Sequence, residues 1–172
     1  MTTHLTAVTS IVSTLETKVT GVLGEIASQP FTGEFARETA LSLLEKLLET
    51  IITFMVGSPQ APRVARIILR EQLYPSPAYD IIFKRYMEPV IGSFAILVMH
   101  AAGEPSICIA KLRAMAIMGQ VIAFRVGRET MVRALSLEGY SAEETAEIRQ
   151  VILAHTRALV SISLQGTPSV EE

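Results

Sequence analysis

Residues 5–26 read LTAVTSIVSTLETKVTGVLGEI, and the apolar members Leu5, Val8, Val12, Leu15, Val19, Val22 and Ile26 follow one another at alternating spacings of three and four. That spacing returns each side chain to the same face of a 3.6-residue helix, whereas a half-buried strand needs a period of two. The stretch therefore predicts an amphipathic helix of about seven turns, stopped at Gln29-Pro30.

The same punctuation continues along the chain. After Thr32, read as an N-cap with Glu34 in the first turn, Leu41, Leu44, Leu48, Ile51 and Met55 keep the spacing as far as Gly57. Ser58-Pro59 and Pro62 open a third helix through Leu73, with Arg63, Arg66 and Arg70 on one side and Val64, Ile67 and Ile68 on the other. Ser76-Pro77 starts a fourth, bent at Pro89, whose ring removes a backbone bond to Arg85, and ended by Gly103. Glu104-Pro105 opens a fifth that runs to Gly127, and a short helical turn follows at 129–135. Ser141 and Glu144 form a capping box for the last helix, in which Ile148, Val151, Ile152, His155, Leu159 and Ile162 share a face. The chain has no Asn and one Asp, Asp80, so Asn-Gly and Asp-Gly hairpin turns are excluded. The fold class is all-α with about six helices, as one domain over 1–164 and a polar tail over 165–172.

Composition narrows the function. The chain is 49% apolar with a mean hydropathy of +0.40, more than one domain of this size needs for its own core, which points to burial against a second subunit or around an apolar ligand. The longest uncharged stretch, 89–103, falls short of the roughly 18 residues of a membrane span, so no membrane partner is expected. A net charge of -2 leaves no excess of positive charge to neutralise nucleic-acid phosphates. A single cysteine, Cys108, and a start without a secretory signal are those of a cytoplasmic protein.

Catalytic spacings are missing, and no enzyme is expected. His4, His100 and His155 are too scattered for a local metal pair, and HExxH, CxxC, GxSxG, P-loop and GxGxxG patterns do not occur, so neither metal nor cofactor is expected. Cys108 lies in an apolar helical run and reads as an inert buried thiol. Glu71, Arg113, Gln120 and Arg125 stand out as polar groups embedded in apolar helix. Facing inward, each needs a counter-group in the fold, across a subunit boundary or on a ligand. Phe83, Tyr86, Met87 and Phe124, with Met55, Met115 and Met118, are the adaptable side chains that would line a cavity if one exists.

The run ILREQLYPSPAY at 68–79, followed by KLRAM at 111–115 and GQVIAFR at 119–125, resembles the C-terminal regulatory domain of CecR-type TetR-family transcriptional regulators. The likeness extends over 51–164, and the first fifty residues fit as generic helices of the same kind. The resemblance implies an effector-binding and dimerisation domain whose helices over 105–127 and 141–164 pack against their copies as a four-helix bundle. The interface would draw on Ala110, Ala114, Met118, Val121 and Ala123, with Ile148, Val151, Ile152, His155, Leu159 and Ile162 opposite. A small apolar or aromatic effector would enter between the middle helices, at Glu71, Phe83, Tyr86, Met87, Arg113, Gln120, Phe124 and Arg125. Family members begin with a helix-turn-helix head, whereas this chain opens on what corresponds to the long helix after it. DNA contact is therefore expected only through an N-terminal head that is not in this chain. The alternative is a head-less helical module that forms mixed dimers with full-length regulators.

Overall fold

The computed structural model describes residues 2–162, and among these every regular element is helical. The helices are α1 (Thr2–Ser28), α2 (Ala36–Met55), α3 (Ala61–Leu73), α4 (Tyr79–Ile82), α5 (Glu88–Ala102), α6 (Ile107–Val126), α7 (Arg128–Ala134) and α8 (Ala142–Ser161), with a π-helical turn, Phe83–Met87, joining α4 to α5. The expected tail, 165–172, lies outside the described residues.

The stripe that opens the sequence is the buried face of α1: Val8, Val12, Leu15, Val19, Val22 and Ile26 are all in the core, and Leu5 emerges at the helix start. The centre of the molecule is α2 against α5. Leu44, Leu47, Leu48 and Ile52 of α2 are fully buried with Phe94, Ala95, Leu97 and Val98 of α5, and α1, α6 and α8 close round this pair. Each such Leu removed from water contributes roughly 1.5–3 kcal/mol.

The helix ends show which local signals held. Gly103 adopts φ 66°, a left-handed conformation that costs an L side chain about 1–2 kcal/mol, and the Glu104 amide closes back on the Met99 carbonyl at 3.0 Å. At Ser141 the capping box is formed: its Oγ accepts from the Glu143 amide at 3.0 Å, while the Glu144 carboxylate accepts from the Ser141 amide at 2.7 Å. Thr32 does not cap α2. Phe31 and Gly33 take positive φ, and the helix begins three residues after Gly33 with no side-chain cap. The fifth helix starts later than Glu104-Pro105, with Ser106 as its N-cap, whose Oγ accepts from the Ile109 amide at 3.3 Å.

Pro89 was expected to bend the fourth helix; the irregularity is a π-helical turn just before it. Pro89 has no amide hydrogen, and the chain absorbs this by widening the preceding turn into the π-helical segment, where the Glu88 amide reaches the Phe83 carbonyl. Consequently the fourth helix is two helices, α4 and α5, joined by that widened turn. The last helix ends at Ser161, so Ile162 lies just past its end in extended conformation.

Helix α6 is long and apolar enough, by length and composition, to cross a bilayer. Its sequence nevertheless includes Lys111, Arg113 and Arg125, and one side, with Ala110, Arg113, Ala114, Ile117 and Val121, is buried in the fold. Its other side carries Leu112, Met115, Gly119, Ile122, Ala123 and Val126 outward. Cys108 belongs to that outward side and is exposed, which corrects the buried thiol read from its apolar context.

Candidate functional site

A partly enclosed cavity of about 200 Å³ lies between α2, α3, the α4–α5 junction and α6. Its wall is Ile51 and Met55 from α2, Ala65, Ile68, Leu69 and Gln72 from α3, and Tyr79, Tyr86, Met87, Val90 and Ile91 from the α4–α5 region. Met115, Met118, Val121, Ile122, Arg125 and Val126 of α6 complete it. The π-helical turn carries Tyr86 and Met87, and by adding a residue to the turn it sets their rotation relative to Val90 and Ile91 on α5. Four methionines in this wall, Met55, Met87, Met115 and Met118, supply unbranched, adaptable surface.

Of the eight residues expected at an effector site, Tyr86, Met87 and Arg125 line the cavity. The other five stand elsewhere, each for a physical reason. Glu71 is 1% exposed and satisfied inside the fold: Oε1 meets His4 Nε2 at 2.8 Å, and Oε2 accepts from the Ser76 amide at 3.0 Å and the Ser76 hydroxyl at 2.7 Å. Burial pushes its carboxyl upward, but the Ser76 hydroxyl, His4 and the Ser76 amide outweigh it and hold the group below its ordinary value. Because Pro75 and Pro77 lack amide hydrogens, the Ser76 amide is the one backbone donor in that three-residue stretch, and Glu71 takes it.

Arg113 is likewise buried and used structurally. Its guanidinium lies 3.6 Å from the Glu104 carboxylate and donates to the Leu159 carbonyl and, at 2.7 Å, to the Ile162 carbonyl. A cation is thus fixed where the last carbonyls of α8 concentrate partial negative charge. Gln120 Oε1 accepts from His155 Nδ1 across 3.0 Å, tying α6 to α8 away from the cavity. Phe83 is exposed and tilted against Tyr79, with ring centres 6.3 Å apart. Phe124 packs at a separate depression near α7 and the start of α8, with Tyr140, whose hydroxyl donates to the Phe124 carbonyl at 3.3 Å.

Arg125 differs from these. It is half-buried, and among the described residues it makes neither a hydrogen bond nor an ion pair. Burial and the neighbouring Arg128 lower its pKa, with a small opposing effect from Tyr140. Tyr86 is almost wholly buried, and that burial pushes its phenol up to about 12, so it remains a hydrogen-bond donor.

The expected interface residues divide into two sets. Ala110, Ala114, Val121, Ile148 and Ile152 are buried within the single chain, while Met118 is half-buried and borders the cavity. Small residues at Ala110 and Ala114 serve close packing of α6 inside the fold, chiefly against α5. Ala123, Val151, His155 and Ile162 are exposed, with Leu159 half-buried beside them. Leu112, Met115, Ile122 and Val126 extend this outward surface and went unassigned in the sequence reading of the interface. Half of the large apolar side chains exposed among the described residues lie on α6, on α8 or at the end of α8.

Residues 40–162 match the family described as HTH-type transcriptional dual regulator CecR, C-terminal domain. The HTH-type transcriptional dual regulator CecR of Shigella flexneri is 28% identical over 108 residues, covering 60% of this chain and 45% of that protein. The match thus spans less than half the length of that relative.

Proposed function

This chain belongs to the CecR C-terminal domain family of transcriptional regulators, and we propose on that basis that it is the effector-sensing and dimerisation domain of a TetR-type regulator. The observation that carries the reading is the juxtaposition of an apolar cavity with an outward apolar face, the two sharing α6 as a wall. Monomeric proteins rarely leave a contiguous apolar patch of this kind in water, and a second copy of the same face is the simplest cover. Two copies meeting along α6 and α8 bring four helices together, with Leu112, Ala123, Val151 and Ile162 in the contact.

The cavity receives a small, largely apolar molecule, and the protein acts by binding and conformational bias, without catalysis. DNA reading belongs to a head outside these residues, as the helix-turn-helix in the name of the Shigella flexneri relative indicates for that protein. A regulator of this kind works in the cytoplasm. Sedimentation velocity at micromolar concentration tests the assembly: a particle of twice 18.7 kDa is expected, and a lone 18.7 kDa particle overturns the reading.

A further inference from the structure

We propose that the compound accepted by this cavity is an anion: a carboxylate on a small apolar body, with its charged end at Arg125. The inference rests on the sensing role proposed above and adds the chemical class of the ligand.

The charge distribution argues for it. Among the described residues, Arg125 is the only charged side chain in the wall and no carboxylate lines the cavity. Four arginines elsewhere have acidic partners: Arg85 meets Glu16, Arg113 meets Glu104, Arg133 meets Glu129, and Arg157 meets Glu45 through two bonds of 2.6 and 3.0 Å. Arg125 has none among the described residues, although it is half-buried and its charged neighbour is another cation, Arg128. Arg128 is itself engaged, its guanidinium 5.5 Å from the centre of the Tyr140 ring. A half-buried cation beside a like charge is unfavourable until a counter-charge arrives, so an anion gains here what a neutral molecule of the same shape does not.

The remaining polar groups agree. Tyr79 is directed to Gln72, its hydroxyl donating to Oε1 at 3.4 Å, while the Tyr86 hydroxyl has no protein partner among the described residues. The otherwise apolar, methionine-rich wall therefore includes two residues that carry unengaged donors, Arg125 and Tyr86, the latter also bordering the depression beside α1. Its volume of about 200 Å³ compares with the roughly 150 Å³ that admits benzene in an engineered apolar cavity. One aromatic ring with a short acid side chain is the matching size.

The test compares three molecules of one shape and different charge: hydrocinnamate, hydrocinnamyl alcohol and hydrocinnamyl amine, titrated calorimetrically into the full chain at neutral pH. Hydrocinnamate should bind about ten-fold or more tightly than the alcohol, as a charge-assisted contact implies, and the amine should bind most weakly. Arg125→Met should bring acid and alcohol to within about two-fold of each other, by loss of acid affinity alone, and Arg125→Lys should retain part of the preference. If the alcohol binds as well as the acid in the unaltered protein, the anion assignment is overturned and the sensing role survives. If the acid is preferred and Arg125→Met leaves that preference intact, Arg125 is the wrong residue and the proposal fails. If none of the three binds at millimolar concentration, the cavity reading fails with it. The comparison in the unaltered protein stands even if a variant does not fold.

Discussion

Replacing Glu71 is the most direct test of how this fold holds its first helix to the edge of its cavity. The carboxylate is buried and accepts from both donors of Ser76 while meeting His4, so one side chain joins the start of α1, the end of α3 and the loop before α4. Bonds to a charged group contribute about 1.5–3 kcal/mol each when the partner is left dry. Here His4 and Ser76 are both partly exposed and can recover water, which lowers the sum. Glu71→Ala should therefore cost about 2–4 kcal/mol, or about 4–16 °C of melting temperature for a domain of this length. Glu71→Gln keeps the shape and loses the charge, and should cost about 1–2 kcal/mol. The pH dependence follows from the depressed carboxyl: its stabilising effect is complete above the ordinary glutamate value of about 4.3 and fades as pH falls through the lower folded value. The gap between the parent protein and Glu71→Gln should thus be widest near neutrality and close in acid. Scanning calorimetry at one fixed protein concentration measures both effects, because association shifts the apparent stability. A Glu71→Ala variant melting within about 2 °C of the parent, or a gap to Glu71→Gln that stays constant into acid, would refute the reasoning.

Four further outcomes are expected. Leu112→Glu, at a site 61% exposed in the single chain, should change folding stability by less than about 0.5 kcal/mol yet convert the sedimenting species from two copies to one; an unchanged dimer removes Leu112 from the interface. Gly103→Ala places a Cβ on a backbone at φ 66° and should cost about 1–2 kcal/mol, read as a lower urea midpoint with an unchanged slope. Val121→Phe adds a ring at the cavity wall and should weaken hydrocinnamate binding about ten-fold or more, with the helical circular dichroism retained. Arg113→Met leaves the Glu104 carboxylate and the last carbonyls of α8 without their cation, and should cost about 3 kcal/mol; the double variant with Glu104→Met should regain part of that loss.

The parts of the molecule that could be read in the sequence are those decided by neighbours in the chain. The α1 stripe, the capping box at Ser141 and the stop at Gly103 need only a few consecutive residues to specify them. The site was harder to read because its partners are distant. Glu71 is satisfied partly by Ser76, five positions on, but also by His4, 67 positions away, Arg113 by carbonyls 46 and 49 positions away, and Gln120 by His155, 35 positions away. A polar residue in an apolar helix announces that it needs a partner, and no local pattern states whether that partner is protein or ligand. Arg125 is the member of the four for which the described fold supplies none.

Which side of α6 faces inward was hard to read for a related reason. Helix α6 is apolar or small round most of its circumference, so its periodicity does not say which side turns inward. The alanines Ala110 and Ala114 were assigned outward because small residues permit close approach, and they do so here toward the inside of the fold. Likewise the π-helical turn before Pro89 has no sequence mark of its own beyond the proline that displaces a hydrogen bond.

Because Met115, Ile122 and Val126 border the cavity while also standing on the outward face of α6, in the proposed dimer any occupant that pushes on those side chains alters how well two copies seat. Thermodynamic reciprocity then makes protein concentration a variable in every dose–response curve: a compound that tightens the pair is itself held more firmly in concentrated solution, and one that loosens it is held less firmly. Titrations at nanomolar and micromolar protein should consequently give different midpoints for the same compound, and the sign of that difference tells whether occupancy strengthens or weakens the pair.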